Sequence, residues 1–137
     1  MQLNVTTDYG LRVVLYLAQK KGAANSKEIC DNMGIPQNYM HKIARTLKNA
    51  GVLGEIRGSN GGFKLKIAPD KLSVLTVVDA FERTMKINRC LEKDELCSRH
   101  ATDTCPVRAF YIALQDRLNE SLDIKISTFL VEKHVHN

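Results

Sequence analysis

Apolar residues recur at helical spacing over most of the chain, and alternate with polar ones only in one short central stretch. Over residues 7–21, Leu11, Val14, Leu15 and Ala18 keep the i, i+3, i+4, i+7 spacing of one buried helical face. Gly22 stops this segment, with Lys20 and Lys21 in its last turn. Asn25 and Glu28 have capping-box spacing for a second helix over 26–33, with Asn in the place usually held by Ser or Thr. Gly34 ends it. Pro36 suits the first turn of a third helix over 36–50, closed by Gly51. A very short Gly-containing turn between the second and third helices is the layout of a helix-turn-helix.

The pattern then changes. Val52 to Ile56 and Phe63 to Ile67 have the composition of strands, and Gly58-Ser59-Asn60-Gly61-Gly62 between them is a turn-forming cluster. A hairpin directly after a helix-turn-helix makes a winged helix. Ser73 caps a fourth helix over 74–87, with Leu75, Val78, Phe81 and Met85 as its stripe. Residues 88–105 fit neither period. Pro106 opens a long fifth helix over 106–122, whose Val107, Phe110, Tyr111, Leu114, Leu118 and Leu122 lie close to a heptad seam. A last short helix is expected over 127–135. The expected fold is mainly α with a small β-hairpin wing: a winged helix-turn-helix plus a long helix. Residues 1–70 form the DNA-binding region and 71–137 the cysteine loop and remaining helices, within a single compact domain.

The chain has 137 residues, enough for one domain with a modest core. No run of about 18 apolar residues occurs, so no membrane span is expected. The start MQLNVTTDYGLR lacks a basic segment followed by an apolar block, so no secretory signal is expected there and the cytoplasm is the default location. The net charge of +5 permits nucleic-acid binding without proving it. No Ser/His/Asp or paired-carboxylate arrangement stands out, so an enzyme is not expected.

The third helix has two faces. Met40, Ile43, Ala44, Leu47 and Ala50 form an apolar back; Asn38, His41, Lys42 and Arg45 form a polar front at the same spacing. Such a helix can lie in a major groove, where Asn pairs with adenine and Arg with guanine or phosphate. On an isolated helix this pattern is an ordinary solvated face; between a short turn and a wing it favours DNA. In the wing loop, Arg57 suits a narrow minor groove, and the backbone around Ser59 and Asn60 can approach phosphate closely. Lys64 and Lys66 alternate along the second strand toward one side. The glycine spacing is that of neither a P-loop nor a dinucleotide fingerprint.

Of four cysteines, Cys90, Cys97 and Cys105 are spaced Cys-x6-Cys-x7-Cys in the aperiodic segment. Paired C-x2-4-C units of structural zinc sites are absent. Thiolates this far apart suit a loop wrapped around a larger soft-metal centre, which leaves one ligand to come from elsewhere. His100, Asp8, Asp94, Asp103 and Glu95 are candidates by type. A metal-free thiol switch and three unrelated thiols are the competing readings. Cys30, between Ile29 and the helix end at Met33, reads as a small core residue, and His134 and His136 as solvated tail residues.

With these residues in hand, the chain resembles the Rrf-two family of bacterial transcription regulators. Thr7-Asp8-Tyr9-Gly10-Leu11-Arg12 is similar to the start of its NsrR-like, cluster-binding branch. Tyr39-Met40-x-Lys42-Ile43 and Arg57-Gly58-x-x-Gly61-Gly62-Phe63-x-Leu65 are similar to the family's recognition helix and wing. The resemblance implies a homodimer joined through the helix at 106–122, a dyad-symmetric double-stranded DNA operator, and an iron–sulfur cluster, [4Fe–4S] favoured over [2Fe–2S]. It implies a repressor sensing nitric oxide, redox stress or iron–sulfur status. Asn38, His41 and Arg57 match positions that contact DNA in cluster-binding relatives. Another branch places a histidine three residues after the last cysteine; here that residue is Arg108. By resemblance, the first choice for the fourth ligand is Asp8 of the other subunit, with His100 as runner-up.

Overall fold

A computed structural model describes residues 1–130. Helix α1 (Val5–Lys20) starts at Asn4, whose Oδ1 accepts the Thr6 N–H at 3.2 Å. It ends at Lys21, which takes the left-handed conformation (φ 59°) and donates its N–H to Leu17 O. The stop thus falls one residue before Gly22. The buried face also differs from the sequence expectation. Gly10, Val13, Val14, Leu17 and Ala18 face the core, whereas Leu11 and Leu15 are only half-buried. Gly10 explains the rotation: a methyl there would come within 2.3 Å of the Phe81 ring, so the absent side chain lets the fourth helix approach.

Helix α2 (Ser26–Met33) is capped by Asn25 Oδ1, which accepts the Glu28 N–H at 2.8 Å. Gly34 closes it at φ 66°. After Ile35 and Pro36, α3 (Gln37–Asn49) begins, completing the expected helix-turn-helix. Met40, Ile43, Ala44 and Leu47 form its buried back, each large apolar residue contributing about 1.5–3 kcal/mol by burial. Ala50, expected on that face, caps the helix and is exposed.

Strands β1 (Leu53–Ile56) and β2 (Gly62–Leu65) pair antiparallel, with Leu53 opposite Leu65 and Ile56 opposite Gly62. A reciprocal backbone bridge between Ala24 and Phe63 ties this wing to the entry of α2. Close approach is what Gly62 permits: a Cβ there would lie 2.3 Å from Ala24 O.

Helix α4 (Val74–Phe81), capped by Ser73, ends six residues earlier than its apolar pattern predicts. Two competing partners account for this. Glu82 turns extended and sends its carboxylate to the start of α1. Beyond it, the Ile87 N–H and Met85 C=O are satisfied by the side chain of Gln115, which removes the need for helical partners. Its buried residues are Val74, Val77 and Val78; Leu75, Phe81 and Met85 of the expected stripe are half-buried.

Helix α5 (Pro106–Leu122) has the expected bounds, and among its residues only Gln115 is buried. A 3₁₀ segment at Ile126–Leu130 follows, where the start of a last helix was expected; the rest of that expected helix, with His134 and His136, lies outside the described residues. Helix α1 packs against α4, α3 and the 3₁₀ segment, so one core joins residues from both halves, including Val13, Ile43, Leu72, Val77 and Ile126.

Candidate DNA-reading face and cysteine loop

Asn38, His41, Lys42 and Arg45 are all exposed on α3, opposite its buried back. The helix is held by its apolar face, so the polar face needs no structural partner. Arg57, Ser59, Asn60 and Lys64 of the wing are exposed too. Gly58 (φ 108°) and the Gly61 N–H to Gly58 O bond shape the wing tip. Gly61 admits no side chain, because a Cβ would meet Ile56 O at 2.2 Å. Lys48 at the end of α3 bonds Glu55 of β1 at 2.7 Å, bracing helix and wing. The Lys48 ammonium holds the Glu55 carboxyl below the usual range, with the nearby Arg57 charge adding to the effect.

A second set of contacts ties α1 to the helix-turn-helix. Arg12 donates to Asp8 Oδ2 at 2.7 Å and to Met33 O at 3.0 Å, and lies over the Tyr9 ring. Tyr9 meets Tyr39, in the first turn of α3, edge to face at 5.1 Å. Arg12, Tyr9 and Tyr39 were not singled out as functional from the sequence. The spacing of Asp8 and Arg12, four residues apart on a helix, was the available signal.

The cysteine loop has a different character. Cys90, Cys97 and Cys105 are each half-buried, and Cys30 lies in the core, where burial pushes its thiol up. Among the described residues, no three His, Cys, Asp or Glu side chains converge as a metal site. The structure therefore does not bring Cys90, Cys97, Cys105 and Asp8 of one chain together. What it does supply is donors. Asn88 Nδ2 donates to Cys90 Sγ at 3.2 Å, and the Ala101 N–H to Cys97 Sγ at 3.5 Å. Backbone N–H groups of Ala101, Arg99 and His100 hold the Cys97 thiol below its ordinary value. Cys105 is the residue from which α5 starts, at the end of the helix dipole that favours negative charge. Three thiols, two of them accepting N–H bonds and the third at a helix N-terminus, are donors of the type that fits an iron–sulfur cluster.

The other candidate ligands are engaged differently. Asp94 forms a two-pronged pair with Arg89, which holds its carboxyl below the usual range. Glu95 accepts from Arg108 at 3.4 Å, while Asp103 is exposed. His100 is exposed at φ 52°, its N–H bonded to Cys97 O. Arg108 also donates to Cys90 O, so the position where another branch has a histidine here staples the loop to α5. Gln115 is the buried anchor beneath it, with Asn119 Oδ1 accepting its remaining N–H at 3.0 Å. A glutamine between Tyr111 and Leu118 on an otherwise apolar stripe was the signal in the sequence for this residue.

A recognition helix and a wing presented on one side define a winged-helix DNA-binding protein. Comparison with known proteins makes this specific. The chain belongs to the Rrf2 family, described as Iron-dependent Transcriptional regulator, which matches residues 3–129. It is a DNA-binding transcriptional regulator, not an enzyme. It is 35% identical over 107 residues to the HTH-type transcriptional regulator NsrR of Halalkalibacterium halodurans, covering 77% of this chain and 68% of that protein. The fold is similar to that of B. subtilis CymR, described as the global cysteine regulator (TM-score 0.77, 24% identity, 93% of this chain and 94% of that one). It is also similar to that of T. potens IscR (TM-score 0.75, 20% identity, 100% of this chain and 94% of that one). Among the described residues, no helix is long and apolar enough to cross a membrane.

Proposed function

We propose that this chain is a homodimeric repressor that binds a dyad-symmetric operator and carries an iron–sulfur cluster sensing nitric oxide, redox stress or iron–sulfur status. The observation that carries the reading is the loop itself: three half-exposed thiols within sixteen residues, with N–H donors on Cys90 and Cys97. Partly exposed thiols this close in sequence are open to oxidation and need a ligand or a redox role. The similarity to an NsrR and the family description point the same way. Cys90, Cys97 and Cys105 would hold the cluster, with Asp8 of the second subunit as fourth ligand and His100 as the alternative. A bound cluster supplies redox-active iron open to small reactive molecules.

The proposed second subunit would dock on α5. On α5, Val107, Phe110 and Leu114 are exposed on one face, an apolar surface that a matching helix would cover. DNA binding falls to Asn38, His41, Lys42 and Arg45 in the major groove and to Arg57, Ser59, Asn60 and Lys64 on the wing. Coupling runs through Arg12. Were Asp8 held by the cluster, Arg12 would lose its carboxylate partner, and its hold on Met33 O and on the Tyr9 ring would change with it, so the turn leading into α3 would sense which partner Asp8 has. Differential stability of these two arrangements is what shifts DNA affinity.

Purification without oxygen, followed by iron and sulfide counts and a Mössbauer spectrum, tests the cluster. Coloured protein with matching iron and sulfide is expected. Colourless, iron-free protein with full operator affinity would favour the second reading, a metal-free thiol switch, for which the Ala101 N–H bond to Cys97 Sγ is the supporting observation.

A further inference from the structure

We infer that Glu82 is a positioning residue that joins each subunit's cysteine loop to its own Asp8, so that the two ligand sites of a dimer are lost together and not independently. The inference rests on the reading that Asp8 ligates across the dimer.

The geometry is unusual for a surface-facing glutamate. Glu82 Oε2 accepts the Asn4 N–H at 2.8 Å and the Thr7 hydroxyl at 2.5 Å, across more than seventy residues of sequence. Thr7 is fully buried, and the next residue is Asp8. Met1 to Val5 are exposed, so Glu82 joins the Asn4 cap and the burial of Thr6 and Thr7 in fixing the first turn of α1. A carboxylate at a helix N-terminus is favourable with the dipole and satisfies donors that the helix leaves free.

The other side of Glu82 leads to the thiols. It caps α4, and the chain then runs directly toward Cys90. Thr84 donates its hydroxyl to Glu92, while Gln115 clamps Met85 and Ile87. A shift of the loop is therefore carried by a short, bonded segment to Glu82, and from there to Thr7 and Asp8. Each loop would hold one ligand from the partner and position one ligand for the partner. Loosening one loop then weakens the other site. That is a positive coupling between two sites, with a stated physical link.

Native mass spectrometry of the loaded dimer, titrated with a chelator until half the iron is gone, reads the coupling. Independent sites would leave about half of the dimers singly loaded; coupled sites leave far fewer. The wild-type protein is expected to show that deficit. Glu82→Gln, and Thr7→Val as the milder change, are expected to restore the independent level. In the iron-free dimer, Glu82→Gln should also speed amide exchange over residues 4–8 by about tenfold while α3 keeps its protection. Singly loaded wild-type dimers at the independent level overturn the inference, as do variants that keep the wild-type deficit. A dimer that never carries iron removes the cluster reading itself, and this inference with it.

Discussion

Helices α3 and α5 both carry an apolar face, yet they are finished to different degrees. Helix α3 buries Met40, Ile43, Ala44 and Leu47 within its own chain, leaving a polar face ready for DNA. Helix α5 buries only Gln115 and leaves Val107, Phe110, Ile112 and Leu114 in solvent. The cysteine loop stapled to α5 is similarly incomplete: among the described residues, no three ligand-type side chains converge there. One subunit is thus sufficient to build the reader. On the proposed reading, the sensor takes a second copy for both its apolar surface and its last ligand.

The largest expected effect breaks that difference directly. Phe110→Asp places a charge on the exposed face of α5, and should weaken self-association by at least about thirtyfold by sedimentation, as hot-spot losses of over 2 kcal/mol do. Its circular dichroism should stay that of the wild type, because Phe110 is 60% exposed in the single chain. An unchanged dimer would remove α5 from the interface.

Arg57→Ala comes next. Operator affinity should fall about tenfold or more, in line with the roughly 1–3 kcal/mol carried by a good base or groove contact, with iron content unchanged. Equal affinity would mean that the wing does not touch DNA. Gln115→Ala tests the junction between the two regions. It leaves the Ile87 N–H and Met85 C=O without partners, at a cost of about 1–3 kcal/mol in denaturant unfolding, and should make iron loss faster. Cys30→Ala is the smallest: iron content should not change, and stability should fall by about 1 kcal/mol for a small buried group. Loss of iron in that variant would put Cys30 among the ligands.

The completed region was the more legible of the two in the sequence. The bounds of α2 and α3, the turn between them and the wing follow from Asn25, Gly34, Pro36 and Gly51, each a local signal. Helix α5 begins at Pro106 as its proline predicts. Misreadings arose where distant partners override local pattern. Helix α4 stops at Phe81 because Glu82 and the residues after it bond to α1 and to Gln115 instead. The face of α1 rotates because Gly10 admits Phe81, a contact that no window around Gly10 contains. In the cysteine loop, residue types and spacing indicated soft-metal chemistry, but on the proposed reading its closure depends on a second chain, which no pattern within one chain can define.

The central claim is that Asp8 completes the site of the other subunit. Mixed dimers test it most directly. One chain carries Asp8→Ala and the other Cys97→Ser, so neither has a full ligand set of its own. If Asp8 ligates across the dimer, the mixed dimer regains one complete site: three cysteines from the first chain and Asp8 from the second. The account predicts a wild-type Mössbauer spectrum at half the wild-type iron per dimer. A mixed dimer showing only the altered spectrum of the Asp8→Ala homodimer, or one in which Asp8→Ala alone already looks wild-type, would contradict it.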